Sequence, residues 1–182
     1  MRIVGGSLGG RVLRAPTGAA TRPTSEKVRE AMFAILGPVD GLEVLDLFAG
    51  SGAVGIEALS RGAAHATFCD SGRAALGAIR GNLRELGLDD RATVVAADAL
   101  AFAARPPVRG PWGLVFVDPP YASELAVRAA AAIPPAHFAA GASLVIEHDR
   151  RHAPPEVLGS LLRTDDRRYG DTLLSFYGAA RT

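Results

Sequence analysis

Cysteine is nearly absent. Cys69 is the single one in 182 residues, so no internal disulfide can form and a reducing compartment is expected. Long apolar runs are missing too. Asp46, Asp70, Asp98 and Asp118 interrupt the hydrophobic stretches, which leaves nothing long enough to cross a bilayer. No basic start followed by an apolar block marks a targeting segment, so a cytoplasmic location is expected. Net charge is small, at +1, and bulk charge therefore points to no partner. Metal-ligand spacing is also lacking. His148 and His152 stand four apart, but a strand before them and Pro154-Pro155 after them argue against a shared helix face, and no metal is expected. What the chain does have is apolar mass. At 48% hydrophobic residues it is not a disordered polymer, and its length fits one sizeable core.

The charge is unevenly spread. No acidic residue precedes Glu26, while Arg2, Arg11, Arg14 and Arg22 do. A second basic zone holds Arg150, Arg151, Arg163, Arg167 and Arg168. Two such zones on a near-neutral chain can form a phosphate-binding surface or be ordinary solvated charge.

Residues 1–23 read as a hairpin-like unit, with short strands over 2–4 and 11–13 joined by a glycine-rich segment,. A helix is predicted over 25–36, because Val28, Ala31, Met32, Ile35 and Leu36 form one stripe, Thr24 or Ser25 can cap it and Gly37-Pro38 stops it,. Strands over 43–48, 66–70, 93–97, 114–118 and 143–147 then alternate with helices over 53–61, 72–86 and 123–132 and a short helix after the third strand. That rhythm predicts an α/β fold with a parallel sheet covered on both faces. Residues 161–165 and 172–177 flank Tyr169-Gly170-Asp171 and read as a closing antiparallel hairpin,. The division expected is an extension over 1–23 and a domain over 24–182. Cys69, Trp112, Phe102 and Phe116 are expected in the core.

Four successive strands finish near an aspartate: Asp46, Asp70, Asp98 and Asp118. Ligands of open α/β sheets bind outside the carboxyl ends of the strands, so the four carboxylates are expected along one edge. After the first strand, Phe48, Ala49, Gly50, Ser51 and Gly52 open a glycine loop, and Gly50, Gly52 and Gly55 satisfy G-x-G-x-x-G,. A dinucleotide would set its pyrophosphate there, yet Asp46 would put a carboxylate close to it. A cationic ligand suits that acid better. S-adenosylmethionine carries a sulfonium and an ammonium group and no phosphate. Asp70 is then placed for its ribose hydroxyls, and Asp98 with the Ala99 backbone for its adenine amino edge. The alternative for these aspartates is helix capping.

Asp118-Pro119-Pro120-Tyr121 follows an apolar strand. Neither proline has an N–H, so the carbonyls there meet no local donor. An exocyclic base nitrogen is a poor nucleophile. A carboxylate from Asp118 and the Pro119 carbonyl can each accept one of its N–H groups and turn its lone pair toward a methyl group. Tyr121 can stack on the base, worth about 1–3 kcal/mol. An ordinary turn is the bland alternative.

Together these motifs resemble class I methyltransferases acting on amino groups of bases. More narrowly, the chain resembles bacterial 16S ribosomal RNA (guanine-N2)-methyltransferases. Gly9-Gly10-Arg11, Thr21-Arg22-Pro23-Thr24, Val28-Arg29-Glu30-Ala31-Met32-Phe33, the glycine loop, Asp118–Tyr121 and Tyr169-Gly170-Asp171-Thr172 carry the likeness. The resemblance implies a Rossmann-like sheet of seven strands, S-adenosylmethionine as donor, and guanine N2 of rRNA in a small ribosomal subunit or its assembly intermediate as acceptor. It also implies that the N-terminal hairpin contacts RNA, with Arg11, Arg14, Arg22 and Thr24 as candidates and Arg168 from the second basic zone. Asp70 stands where relatives often carry Glu, and Gly77 and Gly81 should weaken their helix modestly. The chain is expected to act as a monomer. Competing readings are a DNA adenine-N6 or cytosine-N4 methyltransferase, an NAD-dependent oxidoreductase, and an RNA-binding assembly factor without catalysis.

Overall fold

The computed structural model describes residues 1–17, 25–119 and 124–179. In chain order these form α1 (Glu26–Leu36), β1 (Glu43–Leu47), α2 (Ala53–Ser60), β2 (His65–Asp70), α3 (Arg73–Leu86), β3 (Ala92–Ala96), α4 (Ala99–Ala103), β4 (Trp112–Val117), α5 (Glu124–Ala131), β5 (Phe138–His148), β6 (Val157–Leu158), β7 (Leu161–Tyr169) and β8 (Thr172–Ala179). The strands make one sheet in the order β3-β2-β1-β4-β5-β8-β7-β6. The first five are parallel and β8, β7 and β6 return antiparallel. This is the α/β fold with a mostly parallel sheet and a closing antiparallel hairpin expected from the alternation, and it agrees with the Rossmann-like sheet that the resemblance implies. Seven of the strands are those the resemblance implies, and the two-residue β6 adds an eighth at the edge.

Alternation along the strands sends successive side chains to opposite faces. Val44, Phe68, Phe116 and Val145 pack on one face with Val28, Met32, Phe33, Ile56, Leu59, Ile79 and Leu83 of α1, α2 and α3. Leu45, Leu47, Val117 and Ile146 pack on the other with Ala99, Ala103, Ala126, Ala129 and Ala130 of α4 and α5. Cys69 and Trp112 are buried as expected, Phe116 likewise, and Phe102 is half-buried at the second cluster.

The structure departs from the sequence expectation most at α1, at β5 with β7, and at the N-terminus. The buried face of α1 is Val28, Arg29, Met32 and Phe33, and Ile35 is 37% exposed. The helix is rotated away from its apolar stripe because Arg29 finds an ion partner inside, at Glu57. Second, β5 begins at Phe138 and β7 runs on to Tyr169. The charged run Asp165–Arg168 resembles a loop, yet an edge strand tolerates such residues; Arg167 pairs with Asp165 at 2.7 Å and Arg163 with Asp166 at 3.3 Å. Third, the N-terminal strands reduce to a single antiparallel bridge, Arg2 to Val12. Hydrogen bonds from Ile3 N to Arg11 O and from Leu13 N to Met1 O flank it. The intervening turn is drawn onto α2, where the Ser7 amide donates to Ser60 O and the Leu8 amide to Ser60 Oγ. Ile3 and Leu13 enter the first cluster.

Candidate active site

Because β1 to β4 are parallel, their carboxyl ends share one edge. Three residues of the loop leaving β1 have left-handed backbone: Phe48 (φ 61°), Gly50 (φ 56°) and Gly52 (φ 77°). Phe48 is the only non-glycine residue in that region among the described residues. Such strain persists where surrounding structure imposes it, and it clusters at ligand sites. Gly55, the third glycine, sits against β2, where an added Cβ would collide with the Phe68 ring. It lets α2 lie close on the sheet, the packing role the spacing implies.

Asp46 lies under this loop. It is 2% exposed, and Oδ2 accepts the Gly55 amide at 3.0 Å. Burial pushes its pKa from 3.8 up to about 7; the Gly55 hydrogen bond opposes the rise and the charge of Asp70 adds to it. Asp70 closes β2 and joins the same loop. Its Oδ2 accepts the Gly50 amide at 2.9 Å and its Oδ1 the Gly72 amide at 2.7 Å. Each carboxylate oxygen keeps a further lone pair. Asp98 caps α4 by accepting the Ala101 amide at 2.9 Å, so the capping alternative holds for one of its oxygens. Ala99 is buried in the first turn of that helix. Asp118 directly follows β4, and its amide reaches Leu47 O at 3.5 Å, tying the tetrapeptide to the end of β1. The structure thus brings Asp46, Asp70, Asp98, Asp118, Pro119 and the loop 48–52 to one edge. Pro120, Tyr121, Arg22 and Thr24 lie outside the described residues.

The basic candidates separate. Arg14 pairs with Glu85 at 3.0 Å and Arg11 donates to Glu85 O at 3.4 Å, so both lie against the last turn of α3. Since α3 starts at the carboxyl edge and rises about 1.5 Å per residue, they stand toward the far end of that helix. Arg168 is elsewhere, beside the β7–β8 turn, where its Nε donates to Gly170 O. Because His148 at the end of β5 pairs with Leu173, that turn lies at the carboxyl edge. One group escaped the sequence reading. Arg73, Arg80 and Arg84 are exposed on α3, and spacings of seven and four put them on one helix face. The periodicity was visible; what was hidden is that the N-terminal arm lays Arg11 and Arg14 beside the same helix.

The family described as conserved hypothetical protein 95 matches residues 1–178. A Bacillus subtilis (strain 168) protein, YlbH, provisionally named an rRNA methyltransferase, is 41% identical over 182 residues, covering 97% of this chain and 98% of that protein. Ribosomal RNA small subunit methyltransferase D of Escherichia coli (strain K12) is 44% identical over 122 residues, covering 66% of this chain and 60% of that protein. Among solved structures, that of yhhF from Escherichia coli, provisionally named a methyltransferase, superposes with a TM-score of 0.86 at 34% identity, covering 98% of this chain and 97% of that one. With a match over nearly its whole length and a relative this similar end to end, the chain belongs to the conserved hypothetical protein 95 family, a family of rRNA methyltransferases.

Proposed function

We propose that the protein transfers a methyl group from S-adenosylmethionine to the exocyclic N2 of a guanine in small-subunit rRNA. The observation that carries this reading is the carboxyl of Asp46, buried beneath a strained glycine loop at the edge that also holds Asp118. Ionisation of a buried acid is opposed by a neighbouring pyrophosphate and favoured by a neighbouring cation. Family membership and the name of the Bacillus subtilis relative support methyl transfer to rRNA, and the name of the Escherichia coli relative supports the small subunit as its source.

The residues fit the donor. Asp46, ionised once a cation sits beside it, supplies negative potential under the loop, and Asp70 has lone pairs left for two ribose hydroxyls. Asp98 and Ala99 offer an acceptor and a backbone edge at the next strand end. When bound, S-adenosylmethionine presents an electrophilic methyl group. The chain's task is then orientation. Asp118 and the Pro119 carbonyl each accept an N–H of the guanine amino group, which aims the nitrogen lone pair along the transfer direction. The amine becomes cationic on methylation, and its surplus proton leaves to the Asp118 carboxylate or to water. Tyr121 stacks on the base and offsets part of the cost of extruding it. On the outside, Arg11, Arg14, Arg73, Arg80 and Arg84 track the phosphate backbone, joined by Arg168 at the hairpin turn; Arg22 and Thr24 are further candidate RNA contacts.

The test is labelled methyl transfer to small subunits that lack the modification, with the labelled nucleotide mapped. We expect one guanine to carry the label at N2. Asp118→Ala is expected to lose transfer by at least about a hundredfold and to keep S-adenosylmethionine binding in calorimetry. Transfer at the wild-type rate in that variant would remove Asp118 from the mechanism; binding of NAD in place of S-adenosylmethionine would replace the whole reading.

A further inference from the structure

Asn82 is an unexpected residue in the middle of α3. Asparagine is a poor helix former, and a buried amide is costly unless every polar atom is bonded. Asn82 is 2% exposed. Its Nδ2 donates both protons, one to Ser51 O at 3.0 Å and one to Arg14 O at 3.0 Å. Its Oδ1 accepts the Arg14 amide at 2.8 Å. The orientation is forced by chemistry, because a flipped amide would set its NH2 against the Arg14 N–H and its oxygen against two carbonyls. One side chain therefore holds the glycine loop at Ser51 and the N-terminal arm at Arg14 together. A second contact joins the same two segments, from Ser51 Oγ to the Met1 sulfur at 3.6 Å. The same helix carries Arg80 and Arg84 on its exposed side.

We propose that Asn82 is a positioning residue that couples the donor loop to the RNA-contacting arm, so that each ligand tightens the binding of the other. The inference rests on the functional reading above, which assigns those two segments to donor and RNA. Its physical content is that the amide satisfies all its bonds only when both segments are in place. A ligand that orders the loop fixes the Ser51 carbonyl, and with it the amide plane that receives Arg14. Ordering met by one ligand need not be met again by the other, and the effect is reciprocal.

The experiment measures the affinity of unmethylated small subunits with and without saturating S-adenosylhomocysteine, which binds as the donor does but cannot react. Wild-type affinity is expected to rise at least about fivefold with the analogue, the lower end of ordinary coupling. In Asn82→Asp the acceptor for Arg14 remains, but a second oxygen faces two carbonyls, and the factor is expected to fall to about 1. A purely structural role would lower stability and leave the ratio alone. In the wild-type protein, exchange of the Arg14 amide hydrogen is also expected to slow at least about fivefold with the analogue alone, which covers the case of a variant that does not fold. A wild-type factor of about 1, an unchanged factor in folded Asn82→Asp, or an Arg14 amide indifferent to the analogue overturns the coupling and leaves the functional reading standing. Failure of the wild type to bind the analogue at all would bring down the functional reading, and the coupling with it.

Discussion

Asp46 shows how burial changes what an acid does. In the folded chain it holds its proton up to about pH 7, whereas the unfolded chain releases it near the ordinary value of 3.8. Between those limits the unfolded state binds fewer protons, so this residue lowers stability progressively as pH rises from about 4 to about 7. The full effect is on the order of 4 kcal/mol. Asp46→Asn keeps an acceptor for the Gly55 amide and cannot ionise. Urea unfolding is expected to show wild type and variant nearly equal at pH 4 and the variant more stable at pH 8; parallel profiles would contradict the buried-acid account. A bound cation reverses the trend, so S-adenosylmethionine affinity should climb through the same pH window in the wild type only. The acid and its glycine loop were legible in the sequence. Its depth was not, because a single aspartate at a strand end reads alike whether it faces solvent or a helix amide.

At the scale of elements, the N-terminal arm, α1 and α2 meet at one carboxylate. Glu57 is fully buried and accepts the Val4 amide at 2.8 Å, the Gly5 amide at 2.7 Å, Arg29 Nε at 3.2 Å and Arg61 Nε at 2.9 Å. Arg29 also donates to the carbonyl of Arg2. Substituting Glu57→Ala strands the buried guanidinium and two backbone donors. A loss of about 3–5 kcal/mol is expected in denaturant unfolding, with faster proteolysis of residues 1–14 under native conditions. A loss below about 1 kcal/mol, the size of an exposed pair, would mean the arm is held by its apolar anchors Ile3 and Leu13 instead. This junction explains why α1 was read one step out of register. The apolar stripe is a genuine helix signal, but hydrophobicity cannot announce a buried Arg29, whose partner lies on another helix. The extension of β7 was missed for a related reason, since its charges are matched only once the hairpin closes.

Across the whole molecule the alternation of strand and helix decided the topology, and the four aspartates came to one edge because parallel strands end together. Less accessible was the basic surface. Net charge is only +1, and Arg11 and Arg14 come beside the α3 row of Arg73, Arg80 and Arg84 only where the arm crosses that helix, Arg14 there pairing with Glu85. If that band meets RNA phosphates, Arg80→Glu with Arg84→Glu should weaken binding of small subunits at low salt. It should also flatten the slope of log affinity against log salt by about 1–2, and a slope identical to the wild type would move the RNA surface elsewhere. Cys69 is sealed in β2, and burial, with Asp70 next, pushes its pKa up to about 12. A buried, protonated sulfur does not react with alkylating reagents. The native protein therefore carries a silent tag that becomes reactive only when the sheet opens, so mass labelling at a single atom separates unfolded from native molecules without any engineered reporter.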